Sequence, residues 1–322
     1  MTLLSFDNQP VAYAEGESVL DALLRAGHTI PYSCKAGACQ SCLLQVEKGD
    51  IPSAAQAGLT DAQKTLGYFL SCVCKPTADA SLHVRQSATT FKQPAVLVEK
   101  RALNEQVFLL RLRVELNYFP GQYVTLWRNQ QLARSYSLAS LPNAENIIEV
   151  HIKRIAEGAF SRWACDEFAV GDTLDVQGPM GKCFYTGNSA QPMLLAGLGT
   201  GLAPLYGILR DALAKGHHAP IHLFAGASEA SHCYLVEELL ALAEQYSQLS
   251  VHFLSLSGER ASVINGNIYQ TIQQQFPSLK GFKVFLCGAE SFVRKLKKQC
   301  FLAGAAMNDI AADAFIPFTP PQ

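Results

Sequence analysis

The chain has 322 residues, 49% of them apolar, ten cysteines and a formal net charge of −1. That length calls for two or three domains rather than one core. So balanced a charge argues against nucleic acid or an anionic membrane as the main partner. The start, Met1-Thr-Leu-Leu-Ser-Phe-Asp7, has no basic stretch before an apolar one, so no secretory signal is expected.

Residues 3–6 and 11–14 read as a hairpin, and Ser18 stands where a helix N-cap belongs, ahead of the apolar stripe Val19, Leu20, Leu23 and Leu24 that stops at Gly27. The run Cys34-Lys-Ala-Gly-Ala-Cys39-Gln-Ser-Cys42, with a distant fourth cysteine at Cys72, matches the plant-type [2Fe–2S] spacing. Small residues in the run (Ala36, Gly37, Ala38, Ser41) let a tight loop wrap its sulfurs around a compact cluster and aim N–H groups at them. A zinc site would ordinarily pair two Cys-x2-Cys knuckles, and only one such knuckle sits here. Cys74 competes with Cys72 for the fourth place. The two share a strand face about 7 Å apart, and Cys72 is the expected ligand. Strands at 43–47, 68–72 and 81–85 and a short helix capped by Thr60 and Gln63 complete a small α+β unit. The polar run 86–94 reads as a linker.

From 95 to 185 the pattern turns to short alternating strands (95–103, 107–114, 123–127, 135–140, 147–155 and 173–177), which suggests a closed antiparallel barrel with one helical stretch at 160–167. Arg134-Ser-Tyr136-Ser137 offers a fixed cation for a diphosphate, a flat ring facing the same way and a hydroxyl for a ring nitrogen. Downstream, Glu157-Gly158-Ala-Phe-Ser161 is a glycine-led turn entering a helix, able to present N–H groups and a hydroxyl to a second anion.

After residue 188 strands (193–196, 221–225, 251–256, 284–287) alternate with helices (203–215, 235–245, 267–275, 291–303), which predicts a doubly wound parallel sheet with ligands at the strands' carboxyl ends. The most apolar stretch, 193–209, contains Gly197, Gly199, Gly201 and Pro204 and reads as strand, turn and helix, not as a membrane span. Gly199-Thr200-Gly201 followed by Pro204 aims amides and a helix dipole at a pyrophosphate, although the run departs from G-x-G-x-x-G. A further strand ends in Cys287-Gly288, where a cysteine either touches a reactive ring or fills space. The six cysteines outside the cluster motif follow no disulfide pattern, which suits a reducing cytoplasm.

In this order the segments resemble the ferredoxin–NADP reductase superfamily, and more narrowly the reductase components of bacterial multicomponent oxygenases of the phenol hydroxylase, methane monooxygenase and ring-hydroxylating dioxygenase types. The resemblance spans nearly the whole chain and implies three domains: a β-grasp [2Fe–2S] ferredoxin domain at 1–90, an antiparallel β-barrel FAD domain at 91–187 and a parallel-sheet NAD(P) domain at 188–322. It implies that Cys34, Cys39, Cys42 and Cys72 ligate the cluster. Arg134, Tyr136 and Ser137 would hold FAD, with Ser137 at the reacting edge, and Lys153, Gly158 and Ser161 would lie along its diphosphate. Gly199, Thr200, Gly201 and Pro204 would take the nicotinamide nucleotide, Cys287 and Gly288 would flank the hydride path, and Phe315, at the end of the terminal Asp313-Ala-Phe315 run that also carries the resemblance, would be the C-terminal aromatic at the flavin. The chain departs from the family's frequent Cys-Gly-Pro-Pro in having Cys287-Gly-Ala-Glu290.

The function so implied is electron transfer from NAD(P)H through FAD and the cluster to an oxygenase hydroxylase component, because a nicotinamide gives two electrons together and the cluster accepts one. Covalent attachment raises the ferredoxin's effective concentration at the flavin, so strong charge steering is unnecessary. Residues 1–90 carry six Lys and Arg against eight Asp and Glu, a net of only −2. Leu256-Ser-Gly-Glu259 lacks the Ser-Arg common in NADP-using relatives, which favours NADH, while Arg260 keeps NADPH open. Alternatives are a reductase for a deoxysugar dehydratase or a free carrier, or a redox-sensing subunit that does not turn over.

Overall fold

Each of the three segments closes its own sheet. The structure, a computed structural model, describes residues 3–30, 32, 34–37, 40–59, 61–76, 81–86, 92–130 and 132–315. In the first segment β1 (Leu3–Phe6), β2 (Gln9–Val11), β3 (Leu43–Lys48), β4 (Tyr68–Leu70) and β5 (Ser81–Gln86) lie in the order β2-β1-β5-β3-β4, with β1 and β5 parallel. The hairpin's second strand comes two residues earlier than expected. Asp7 and Asn8 both take positive φ (46° and 66°), a two-residue turn that these side chains tolerate and that pairs Phe6 directly with Gln9. Helix α1 (Val19–Arg25) starts as expected, with Ser18 Oγ accepting from Asp21 N at 3.1 Å, and buries Val19, Leu20 and Leu23 against the sheet. A short α2 (Asp61–Thr65) follows; its expected cap, Thr60, lies outside the described residues.

The middle segment forms β6 (Lys92–Ala102), β7 (Val107–Arg113), β8 (Tyr123–Trp127), β9 (Ala133–Ser137), β10 (Ile147–Lys153) and β11 (Thr173–Met180), in the order β10-β7-β6-β11-β8-β9. A bridge between Leu138 and Val150, with Ala139 N donating to Glu149 O at 2.9 Å, joins the two edges and closes the barrel. The expected linker shrinks, because β5 runs to Gln86 and β6 starts at Lys92; residues 87–91 lie outside the described ones. The helical stretch is a single turn, α3 (Ala159–Arg162), continued by a wider π turn over Trp163–Glu167.

The third segment is a parallel sheet in the order β15-β14-β13-β12-β16-β17, built of β12 (Met193–Leu198), β13 (Ile221–Glu229), β14 (Leu249–Ser257), β15 (Val263–Asn265), β16 (Lys283–Ala289) and β17 (Ile310–Phe315). Helices α4 (Leu202–Ala214), α5 (Val236–Gln245), α6 (Ile268–Gln275) and α7 (Glu290–Leu302) complete it. Leu195, Leu223, Phe253 and Phe285 fill one face and Leu194, Phe224, Leu254 and Leu286 the other, so its central strands read as continuous apolar runs. Both edge strands, β15 and β17, escape the sequence reading. β17 is the instructive one, since Ile310-Ala-Ala-Asp-Ala-Phe315 carries little β-propensity and is held by its pairing with β16, Cys287 opposite Asp313. Among the described residues no helix is long and apolar enough to cross a membrane.

Candidate functional site

A cavity of about 1090 Å³ opens where the three domains meet. Strand β9 supplies Arg134, Tyr136 and Ser137 to its wall, and Cys34 reaches it from the first domain. Lys153, at the end of β10, and the turn from Gly158 to Ser161 form a second side. From the third domain come Leu198, Gly199 and Thr200, and Phe315 at the end of β17.

The Tyr136 ring leans on Phe160 with centroids 5.6 Å apart, and burial drives its hydroxyl pKa upward, so the ring is a neutral apolar platform. Arg134 stays cationic although burial lowers its pKa; one guanidinium nitrogen donates to Ala133 O at 2.6 Å. Ser161 does something the sequence did not indicate. Its hydroxyl accepts from Ile155 N at 3.1 Å and donates to Gly158 O at 3.3 Å, so it closes the turn it was expected to offer to an anion.

The glycine turn is built as the sequence suggests, but not all of it faces the cavity. Gly201 packs its Cα against the Cys287 carbonyl, where a Cβ would collide. Pro204 lies in the first turn of α4 and is buried. Cys287 is also fully buried; its Sγ lies 3.8 Å from Cys183 Sγ, and burial, then the contact with Cys183, raises its pKa well above the ordinary thiol value. Neither Gly201, Pro204, Cys287 nor Gly288 lines the cavity; they sit behind its wall.

Two groups at the wall carry roles that the sequence did not assign them. Asp313, on β17, accepts a hydrogen bond from Ser137 Oγ at 3.2 Å, and burial raises its pKa to about 6 against the opposing effect of Ser137. In the sequence it belongs to the terminal Asp313-Ala-Phe315 run of the resemblance, where the carboxyl had no role of its own. On the opposite side His151 Nε2 lies 3.2 Å from Glu149 Oε1, and Arg111 Nε donates to Glu149 Oε2 at 2.9 Å. Burial alone would raise Glu149, but His151 and then Arg111 outweigh it and hold the carboxyl below its ordinary value. His151 Nδ1 is 3.3 Å from the Tyr234 hydroxyl, which ties the barrel to the third domain.

In the cysteine loop Lys35, Gly37 and Gln40 all have positive φ (52°, 73° and 55°), and the coil so formed turns Ala36 N toward Cys34 Sγ at 3.4 Å. Asp21 anchors this coil through Lys35 Nζ at 2.7 Å. The Cys42 and Cys72 thiols are in contact, and that hydrogen bond together with burial pushes Cys42 well above its ordinary pKa. Ser71 fixes the same junction, its Oγ donating to Cys42 O at 2.8 Å. Cys39 lies outside the described residues, and among those described no three His, Cys, Asp or Glu side chains converge tightly enough for a metal ion. The structure thus brings Cys42 and Cys72 together, with Cys34 on the adjoining coil at the cavity. Paired soft donors with backbone N–H groups aimed at sulfur fit an iron–sulfur group. Cys74 is buried and its pKa is pushed up to about 12 by that burial, as for a packing residue.

A barrel with a ring and a cation at its rim, beside a doubly wound sheet and a thiol loop, defines a redox protein that joins a dinucleotide cofactor to a one-electron centre. Comparison with known proteins specifies the class. Residues 6–77 match the 2Fe-2S iron-sulfur cluster binding domain, 94–185 the oxidoreductase FAD-binding domain and 194–298 the oxidoreductase NAD-binding domain. The chain is 31% identical, over 98% of its own length and 98% of the relative's, to the ferredoxin–NAD(P)+ reductase component of the naphthalene 1,2-dioxygenase system of Pseudomonas putida. It is 29% identical to a CDP-6-deoxy-L-threo-D-glycero-4-hexulose-3-dehydrase reductase of Yersinia pestis, with 93% of each chain covered. Among solved structures, an Amycolatopsis cytochrome P450 reductase superposes with a TM-score of 0.71 at 27% identity, covering 98% of this chain and 99% of that one. The chain belongs to the family of iron–sulfur flavoprotein ferredoxin–NAD(P)+ reductases. It is an NAD(P)H-dependent oxidoreductase in which electrons pass from the nicotinamide nucleotide through FAD to a [2Fe–2S] cluster.

Proposed function

We propose that this reductase delivers electrons from NADH to the hydroxylase component of an oxygenase. The observation that carries the reading is one continuous cavity walled by the cysteine loop, β9 and the glycine turn, so that donor, flavin and cluster sites adjoin. The domains would divide at 1–90, 91–187 and 188–322. The FAD supplies the conversion of a two-electron donor into single-electron steps. Tyr136 would support the ring, Arg134 and Lys153 would neutralise the diphosphate, and the Gly158 turn would offer its amides. Ser137 and Asp313 would hold the proton that accompanies flavin turnover, since a carboxyl with a pKa of about 6 exchanges protons near neutrality. Gly199 and Thr200 would meet the nucleotide, with Gly201 and Pro204 shaping the turn and Cys287 and Gly288 backing it. Phe315 would close the flavin edge, and Cys34, Cys39, Cys42 and Cys72 would hold the cluster.

NADH is favoured over NADPH by the nucleotide arm of the cavity. Ser228, Leu254, Leu256, Asn267 and Tyr269 line it, and no Lys or Arg is among the described lining residues of this arm; Lys295 lies behind the wall, its Nζ 4.0 Å from the Tyr269 ring centroid. Arg260, the candidate that the sequence offered, is engaged by Cys233 O at 2.6 Å and Glu237 Oε1 at 2.9 Å. The oxygenase acceptor is supported by relatives matched over nine-tenths or more of their length, one named as the reductase component of the naphthalene 1,2-dioxygenase system and one as a phenol hydroxylase P5 protein. The equally extensive match to a deoxysugar dehydrase reductase supports a dehydratase as a second acceptor class. Scattered cysteines without a pairing pattern support a cytoplasmic site of action. Anaerobic NADH should bleach the flavin and then the cluster; an oxygenase component added next should reoxidise the cluster. Reoxidation by a dehydratase and not by any oxygenase component would overturn the first acceptor.

A further inference from the structure

Thr125 belongs to the barrel, yet its hydroxyl touches the domain before it. It sits in the middle of β8, fully buried, opposite Ser135 of β9. Its Oγ1 lies 3.0 Å from Ser135 Oγ and 3.0 Å from Ser41 Oγ, and Ser41 is itself 1% exposed. Three hydroxyls therefore form a chain across the seam between the first two domains. At one end stands the residue before Cys42; at the other stands the residue between Arg134 and Tyr136.

A buried mid-strand position ordinarily takes Val, and a hydroxyl there is unfavourable unless it is bonded. Ser135 alone would satisfy Thr125 within the sheet, so the bond to Ser41 is an addition made between domains. It also acts on a stiff segment. Cys42 O accepts from both Ser71 Oγ (2.8 Å) and Ser71 N (3.2 Å), so the position of Ser41 fixes the position of the Cys42–Cys72 junction. With a net charge of only −2 on residues 1–90, long-range steering contributes little, and short directional bonds set the docking geometry.

We propose that Thr125 is a positioning residue for electron transfer between flavin and cluster: through Ser41 it latches the cysteine loop onto the strand that carries the flavin-binding residues. This rests on the roles given above to β9 and to Cys42 and Cys72. Thr125 does not touch the reacting atoms; it sets the distance and orientation between two centres held by other residues.

The test uses full-length holoprotein with Thr125→Val, which keeps the shape and removes the hydroxyl, and Thr125→Ser, which keeps the hydroxyl. In anaerobic stopped flow with NADH, flavin bleaching should be unchanged in Thr125→Val while the following cluster bleaching slows about tenfold, the effect of losing roughly one buried hydrogen bond. Thr125→Ser should restore the second phase. Ser41→Ala should reproduce the Val effect from the other side of the seam, and the double variant should be no slower than either single one. Independently of turnover, hydrogen exchange in Thr125→Val should rise at residues 40–45 and 123–127 and stay unchanged elsewhere in the barrel. Equal slowing of both phases, exchange rising throughout the barrel, or failure of Ser to restore the second phase would overturn the latch. Flavin in unaltered holoprotein that NADH cannot bleach would overturn the underlying site roles as well.

Discussion

Replacing Asp313 by Asn tests whether the carboxyl bonded to Ser137 stores a proton. Burial raises its pKa from 3.8 to about 6. A gap of that size corresponds to at most about 3 kcal/mol between the protonated and ionised folded forms, and solvent in the adjoining cavity reduces it toward about 1–2 kcal/mol. Because the folded value lies above the unfolded one, the native state binds the proton more tightly. The stabilising effect is full below pH 3.8 and is lost as pH rises through about 6. An amide in that place cannot ionise. Relative to the parent, the Asp313→Asn variant should gain nothing that varies with pH in strong acid and should gain up to about 3 kcal/mol above pH ~6. Urea unfolding of flavin-free parent and variant, followed by circular dichroism at matched pH values from about 3.5 to about 8, reads that difference directly. In the holoprotein the same change should flatten the pH profile of flavin reduction around pH 6. A stability difference that does not vary with pH would refute the reasoning, and an unaltered pH–rate profile would remove Asp313 from proton handling.

Cys72→Ser should abolish most cluster absorbance and iron content while NADH still reduces the flavin, whereas Cys74→Ser should keep the cluster; the reverse pattern would move the ligand to Cys74. Tyr136→Ala should weaken FAD retention about tenfold, as expected for losing a ring platform worth roughly 1.5 kcal/mol, measured as flavin occupancy after gel filtration. Steady-state kinetics should show NADH preferred over NADPH in kcat/KM, and Glu237→Gln, by loosening Arg260, should narrow the ratio; a parent enzyme that prefers NADPH would refute the reading of the nucleotide arm.

The parts legible in the sequence are those fixed by local chemistry. Ser18 announces α1 because a capping hydroxyl acts on its own next turn, and the Gly199–Gly201 run announces a strand-to-helix turn because the backbone there needs its glycines. Cys287 shows the limit of such reading. Its place near a strand end was correct, but whether its sulfur faces the cavity or Cys183 depends on a partner 104 residues away. Ser161 shows the limit from the other direction, since it reaches the cavity wall as expected but its own turn already engages the hydroxyl. The strand β17 and the role of the Asp313 carboxyl stayed hidden because they come from pairing with β16 and from Ser137, 176 residues upstream. No window along the chain contains that information.

The position of the site follows from the order of the strands. Chain order reverses between β12 and β16, and ligands of doubly wound sheets sit at such a reversal, beyond the carboxyl ends of the strands. Leu198, Ala289 and Phe315, the last residues of β12, β16 and β17, all reach the cavity wall there. The closed barrel brings β9 to the same place, and Ser137 meets Asp313 across the gap. The third domain therefore does more than supply a glycine turn, because its last strand completes the cavity wall beside β9 with a titratable group. The first domain is joined to the second through Ser41 and Thr125, on the strand paired with β9. The contact of Ser137 with Asp313 and that of Ser135 with Thr125, two residues apart on β9, would give this strand influence over both halves of the electron path. Substitutions on its two neighbours, at Asp313 and at Thr125, should accordingly separate kinetically: the first acts on flavin reduction and the second on cluster reduction.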